Sequence, residues 1–149
     1  MDKIHGGILT LSLKGGEIHD ISFEISNNKT NLSFDINDFG EIIVNIKTNT
    51  DVILSEFKQE IDMSDTKQIK ALEDAAAAML EQNIESVIKK VEMEYNSDIF
   101  GFGNMIYKKN PKLWAQLSPK WDMLFPALQV EVESKVTIIN SVMIETRGE

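Results

Sequence analysis

Hydrophobic and polar positions follow two rhythms along this chain, and a third texture comes after them. Up to about residue 48 the period is two. Residues 7–14 alternate in part, through Ile8, Leu9, Leu11 and Leu13, and stop at Gly15-Gly16, which predicts a strand ending in a hairpin turn. Ile18, Ile21, Phe23 and Ile25 predict a second strand, closed by the turn signal Asn27-Asn28. Leu32, Phe34 and Ile36 predict a third, closed at Asn37-Asp38-Phe39-Gly40, and Ile42, Val44 and Ile46 a fourth. One apolar face per strand is the pattern of an antiparallel sheet covered on one side. Residues 49–63, with Val52, Ile53, Phe57 and Ile61, fit either a strand extension or a short helix.

Over residues 65–95 the period changes. Ile69, Leu72, Ala76, Met79, Leu80, Ile84, Val87, Ile88, Val91 and Tyr95 recur at steps of three and four, along one helical face. No Pro or Gly interrupts them, and Ser64 or Asp65 can cap the start. Asp98 then leads a glycine-punctuated segment into a short helix from Asn104. Asn110-Pro111 and Ser118-Pro119 each place a capping residue before a helix-starting proline, and Pro126 ends the helical part. Val130, Val132, Val136 and Ile138 predict a last strand over residues 128–144, with a bulge near Ser134. The order predicts an α+β fold: a mainly antiparallel sheet of about four to five strands packed against one long helix and two or three short helices.

Composition narrows the class. The chain has 149 residues, 42% hydrophobic and 26% charged, with three prolines and eight glycines. That is one globular domain over residues 1–149, with enough chain to bury a core. A net charge of −9 argues against a nucleic-acid surface and against undirected attraction to anionic lipid. Cysteine is absent, so disulfides, thiolate nucleophiles and Cys-ligated metals are excluded. No stretch approaches the roughly 20 apolar residues of a membrane span. The start, MDKIHGGILTL, lacks a signal peptide's layout, so the chain is expected to begin at a domain boundary with any anchor upstream.

Candidate chemistry is sparse. His5 and His19 are the only histidines and have no metal-ligand spacing, so neither a zinc site nor a Ser-His-Asp triad is expected. Carboxylate pairs such as Glu56 and Glu60, Asp62 and Asp65, and Glu92 and Glu94 are expected to form a solvated face. Asp35, Asn37 and Asp38 look superficially like a calcium loop but lack its terminal Glu. Gly101 and Gly103 lack the strand and third glycine of a dinucleotide loop; a tight turn or a close backbone approach suits them better. Trp114, Trp121 and Phe125 suit packing of the short helices, with a partner-binding surface as the other reading. Lys108, Lys109 and Lys112 form the only compact basic cluster, a candidate partner surface beside the blander reading of a solvated, dipole-satisfying group. No catalytic, metal or cofactor-binding residue is assigned.

Residues 95–133, YNSDIFGFGNMIYKKNPKLWAQLSPKWDMLFPALQVEVE, are the most specific part of the chain. Asp98, Phe100, Gly101, Phe102, Gly103, Pro111, Trp114, Trp121, Phe125 and Pro126 fall in an order that resembles the signature of the Ger(x)C family, the C subunits of the nutrient germinant receptors of bacterial spores. The helix and strands before this stretch are similar to the family's C-terminal domain in layout. One departure is the final strand, which lacks the basic pair and glycine usual there and runs on as Ile138-Ile139-Asn140-Ser141-Val142.

The resemblance implies a domain of a longer lipoprotein, tethered through an upstream lipidated cysteine to the outer face of the spore inner membrane. It implies integral-membrane A and B subunits as partners, no cofactor, no nucleic acid and no catalysis. The expected role is receptor assembly and signalling in germination; the alternative is a small-ligand domain that holds the germinant in a pocket between sheet and helices.

Overall fold

The computed structural model describes residues 8–11, 21–57, 64–95 and 97–139. In chain order these form β1 (Ile8–Leu11), β2 (Ile21–Ile36), β3 (Ile42–Phe57), the long helix α1 (Thr66–Glu94), α2 (Phe102–Lys109), α3 (Pro111–Leu117), α4 (Trp121–Leu124) and β4 (Gln129–Ile138). Single 3-10 turns precede and follow α4, at Ser118–Lys120 and Phe125–Ala127. The class is α+β. The four strands make one sheet in the order β1-β2-β3-β4.

β1 pairs antiparallel with β2, Leu11 opposite Ile21 and Ile8 opposite Glu24. The turn expected at Gly15-Gly16 lies outside the described residues. β2 turns into β3 at the expected place. Asn37 Oδ1 accepts from the N–H groups of Phe39 and Glu41, both at 2.9 Å, while Gly40 takes a left-handed φ of 77°. An Asx side chain bonding the backbone two residues on, followed by a glycine free to adopt positive φ, is sufficient cause for the reversal.

Two expectations need correcting. The turn predicted at Asn27-Asn28 does not form, and β2 runs unbroken through both. Asparagine favours a turn when its side chain bonds its own backbone. Here Asn28 is engaged instead by strand neighbours: Thr50 donates its hydroxyl to Asn28 Oδ1 at 2.8 Å, and Asn28 Nδ2 donates to Thr30 Oγ1 at 3.4 Å. Of the ambiguous stretch, residues 51–57 extend β3, and 58–63 lie outside the described residues.

The bulge near Ser134 is also absent. Burial alternates along β4, with Val130, Val132, Ser134, Val136 and Ile138 facing in and Gln129, Glu131, Glu133 and Lys135 facing out. Ser134 occupies an inward position because Thr48, itself buried, donates its hydroxyl to Ser134 Oγ at 2.8 Å. β4 is described to Ile138, and residues 140–144 of the expected strand lie outside the described ones.

The sheet is mainly antiparallel, as expected, but its last strand, β4, runs parallel to β3. Thr48 meets Ser134, and further along both strands the Ile139 N–H donates to the Val52 carbonyl at 2.9 Å. A parallel partner needs a long crossover, which α1 and the short helices provide. As the last strand in the order, β4 leaves alternate N–H groups facing away from the sheet. Two of these are taken by α1: Ser134 N–H donates to Glu81 Oε1 at 2.9 Å and Ile138 N–H to Glu73 Oε2 at 2.8 Å. An edge satisfied by side chains is a poor template for pairing with other chains.

α1 is 29 residues long, about 44 Å at 1.5 Å per residue. Asp65 caps it, its Oδ1 accepting from the N–H groups of Lys67 (3.0 Å) and Gln68 (3.2 Å). The chain divides into two units, each with its own core. The first comprises Met1–Thr30, Thr48–Glu81 and Ser134–Glu149. Its core joins Phe23, Val52, Leu54 and Val136 from the strands to Leu72 and Ala76 from α1. The second comprises Asn31–Lys47 and Gln82–Glu133. Its core joins Val44 and Ile46 to Ile88 and Val91 of α1 and to Phe102, Met105, Ile106 and Phe125.

Candidate functional site

The motif residues of the second unit meet in one corner, organised by Asp98. Its carboxylate accepts three backbone N–H groups at the start of α2: Gly101 and Phe102 to Oδ1, both at 3.0 Å, and Gly103 to Oδ2 at 2.7 Å. The first N–H groups of a helix have no intrahelical acceptor, and an anion there also complements the helix dipole. Gly101 precedes the helix with φ at 79°, which favours glycine. Gly103 serves a different need. A Cβ there would lie 2.7 Å from Trp114 Cη2 and 3.2 Å from Asp98 Oδ2. The indole of Trp114 rests where a side chain at 103 would be.

From this point the aromatic rings form a closed chain. Phe100 stacks on Phe102 at 5.3 Å, and Phe102 lies 6.3 Å from Phe125. Phe125 lies 6.3 Å from Trp121, and Trp121 meets Trp114 edge to face at 5.0 Å, which returns the chain to Gly103. Such pairs contribute about 0.5–1.5 kcal/mol each beyond burial. Phe102 and Phe125 are fully buried, whereas Trp114 and Trp121 are half-buried. Trp121 Nε1 is nevertheless shut off from solvent, with no acceptor among the described residues.

Pro111 starts α3, with Asn110 Oδ1 accepting from Leu113 N–H at 3.1 Å. Ser118 does not repeat this device: it sits in helical backbone, its side chain makes no cap, and the chain passes straight into a 3-10 turn. Pro126 lies exposed in the turn after α4.

The close approach at Gly103 carries a prediction. Gly103→Ala should lower stability by about 1–3 kcal/mol, because the new methyl must displace an indole held against Trp121. Urea unfolding measures it. A midpoint equal to that of the parent chain would mean Trp114 yields freely.

Lys108 and Lys109 occupy the last turn of α2 and Lys112 the first turn of α3; all are exposed. The dipole favours the first two but not Lys112. Among the described residues no group of three His, Asp or Glu side chains could hold a metal ion. His5 and His19 lie outside the described residues.

A second feature escaped the sequence reading. In the second unit a groove of about 550 Å³ runs between α1 and β4, lined by Glu85, Ile88, Lys89 and Glu92 on the helix and by residues 128–132 on the strand. Glu92 was expected on a solvated face. Instead it is only 7% exposed, and its Oε2 has no hydrogen-bond partner among the described residues. The signal was present: 92 lies four residues after Ile88, on the apolar stripe.

Burial holds the Glu92 carboxyl above the usual carboxylate range, and the Lys89 ammonium partly opposes the shift. A carboxyl whose folded pKa is raised contributes most below its unfolded value. That contribution is lost as pH rises through the folded value. Glu92→Gln should therefore raise the melting temperature at pH 7, and the gain should shrink as the pH is lowered toward 4.5. Glu85 and Glu131 border the same groove and Lys89 faces it, so the comparison needs fixed ionic strength. Thermal melts across that window are the check; a gain that grows on acidification would contradict the assignment.

The described residues thus form an α+β arrangement with a glycine-and-aromatic corner and an acidic groove. Comparison with known proteins names its kind. Residues 1–142 match the family described as Spore germination B3/GerAC like, C-terminal, and the chain belongs to that family, the C-terminal domain of the Ger(x)C proteins. Two Bacillus subtilis (strain 168) proteins are similar to it. Spore germination protein KC is 30% identical over 100 residues, 66% of this chain and 24% of its own length. Spore germination protein B3 is 28% identical over 141 residues, 94% of this chain and 37% of its own length. Among solved structures, the crystal structure of the GerBC protein matches with a TM-score of 0.78 and 27% identity, over 92% of this chain and 42% of that one. The chain thus spans between about a quarter and two fifths of the length of these relatives.

Proposed function

We propose that this chain is the C-terminal domain of a germinant-receptor C subunit and works in assembly and signalling of that receptor, without catalysing a reaction. The observation that carries the reading is the family match over residues 1–142. Large apolar side chains left exposed around α1 and α2, at Met93, Tyr95, Ile99 and Tyr107, support a protein-binding role. On this reading the whole protein is a lipoprotein. An upstream lipid anchor holds it to the outer face of the spore inner membrane, and the integral-membrane A and B subunits are its partners. No described helix is long and apolar enough to cross a membrane, so membrane contact would come from that anchor and those partners.

The test uses the full-length C subunit in spores. Deleting this domain should abolish co-purification of the A and B subunits and the germination response to nutrient. Intact co-purification together with normal germination would refute the proposal.

The lysine cluster gives a narrower prediction. Reversing Lys108, Lys109 and Lys112 to glutamate should leave the chain folded and lower the melting temperature by several degrees only, since exposed charges at a helix end contribute about 0.3–1 kcal/mol each. Germination should be blocked. Normal germination in that mutant would remove the cluster from the partner surface.

A further inference from the structure

The groove beside β4 is built from backbone as well as side chains. Successive side chains of a strand point to opposite faces. Residues 128–132 can therefore line one groove in unbroken succession only if the groove runs along the strand's edge. β4 is the last strand of the sheet, so that edge faces away from β3.

At Ser134 and Ile138 the outward N–H groups are taken by Glu81 and Glu73. By the two-residue period of the strand, the N–H groups of Val130 and Val132 point to the same side. There the groove stands in place of a glutamate. At its wall lies Glu92, nine-tenths buried, with Oε2 unpartnered among the described residues. A buried carboxylate without a donor is costly, and a cation that hydrogen-bonds it removes the cost. Glu85 and Glu131 add negative charge, against Lys89 alone.

We propose that this groove receives an extended, basic segment of a protein partner, which adds as a strand along residues 129–132 and sets a lysine or arginine against Glu92. The main chain of such a segment would pair with the N–H groups of Val130 and Val132, and its cationic side chain would satisfy Oε2; strand addition with side-chain pockets is an established mode of peptide recognition. A volume of about 550 Å³ also lies within the range of small-ligand sites. A free amine, however, satisfies only the carboxylate and leaves the strand edge unpaired. The inference deepens the assembly reading and rests on it in taking the occupant to be protein.

The chain itself serves for the test, labelled with ¹⁵N, with four probes: a decapeptide of alternating lysine and valine, the same peptide with glutamate for lysine, the lysine peptide N-methylated at alternate amides, and lysine amide. Hydrogen exchange at Val130 and Val132 and calorimetric titration are the readouts. The lysine peptide should slow exchange at both amides about tenfold or more, and the glutamate and N-methylated peptides should not. Glu92→Gln should weaken binding about tenfold, whereas Glu24→Gln, which removes the same charge from an exposed position on β2, should leave it unchanged. The N-methylated peptide keeps the question open to refutation if Glu92→Gln proves poorly folded.

Equal weakening by the two variants would mean general electrostatic attraction and overturn the site. Equal protection by lysine amide would make this a small-amine pocket and overturn the strand. Binding without slowed exchange at Val130 and Val132 would place the peptide elsewhere. Each of these results leaves co-purification of the receptor subunits unaffected, so the groove and the assembly reading fail separately.

Discussion

Phe102→Ala should cost the chain about 3–5 kcal/mol, the range for removing a fully enclosed aromatic side chain. Phe102 has no solvent exposure and lies in the middle of the ring chain, stacked on Phe100 and beside Phe125. Its backbone is also fixed, because its N–H is one of those held by Asp98. The pocket therefore cannot collapse by moving the start of α2, and the vacated volume stays open. A stability of about 5–15 kcal/mol is usual for a domain, so the loss would bring it close to its unfolding threshold. Urea titration followed by tryptophan fluorescence measures the change, since Trp114 and Trp121 belong to the same corner. Phe39→Ala is the matched control: Phe39 is 88% exposed and should shift stability by no more than about 0.5 kcal/mol. Equal effects from the two would mean the ring chain is not a cooperative part of the fold.

Asp98→Ala should cost about 2–3 kcal/mol. That exceeds the loss of an ordinary cap, because one carboxylate serves three N–H groups and the bonds are charge-assisted. Asp98→Asn separates the two oxygens. An amide can keep its oxygen toward Gly101 and Phe102, but then presents an N–H₂ to the Gly103 N–H, which the native Oδ2 approaches to 2.7 Å. Asparagine should therefore fall between the parent and alanine. If Asp98→Asn proved as stable as the parent, the Oδ2 bond would count for nothing and the alanine estimate would be too large.

What could be read from the sequence depended on whether a local cause was also sufficient. The long helix was legible from Ile69 to Val91, because an unbroken rhythm of threes and fours admits no other element. The turn at Asn37 and Gly40 was legible because both the side-chain acceptor and the positive φ are local properties. Asn27-Asn28 carried a similar local signal, but the outcome was set by Thr50, a residue 22 positions away from Asn28. Ser134 looked like an interruption only because its partner, Thr48, lies 86 positions distant. The direction of β4 could not be read at all, since alternation is identical for parallel and antiparallel neighbours. In the corner at Asp98, the residue types were visible as a motif, while the fit of Trp114 against Gly103 belongs to the packed chain alone. Glu92 is buried because it stands four residues after Ile88 on the apolar stripe, a position that outweighs its residue type.

The pairing of α1 with the edge of β4 also fixes how much chain each can contain. Glu73 and Glu81 stand eight residues apart on the helix, a rise of about 12 Å. Ser134 and Ile138 stand four apart on the strand, about 13 Å. The two spans act as a vernier, agreeing only at these counts. Deleting one residue of α1 between the two glutamates would turn one of them through about 100° and carry it off the edge. The same count excludes an insertion between 73 and 81.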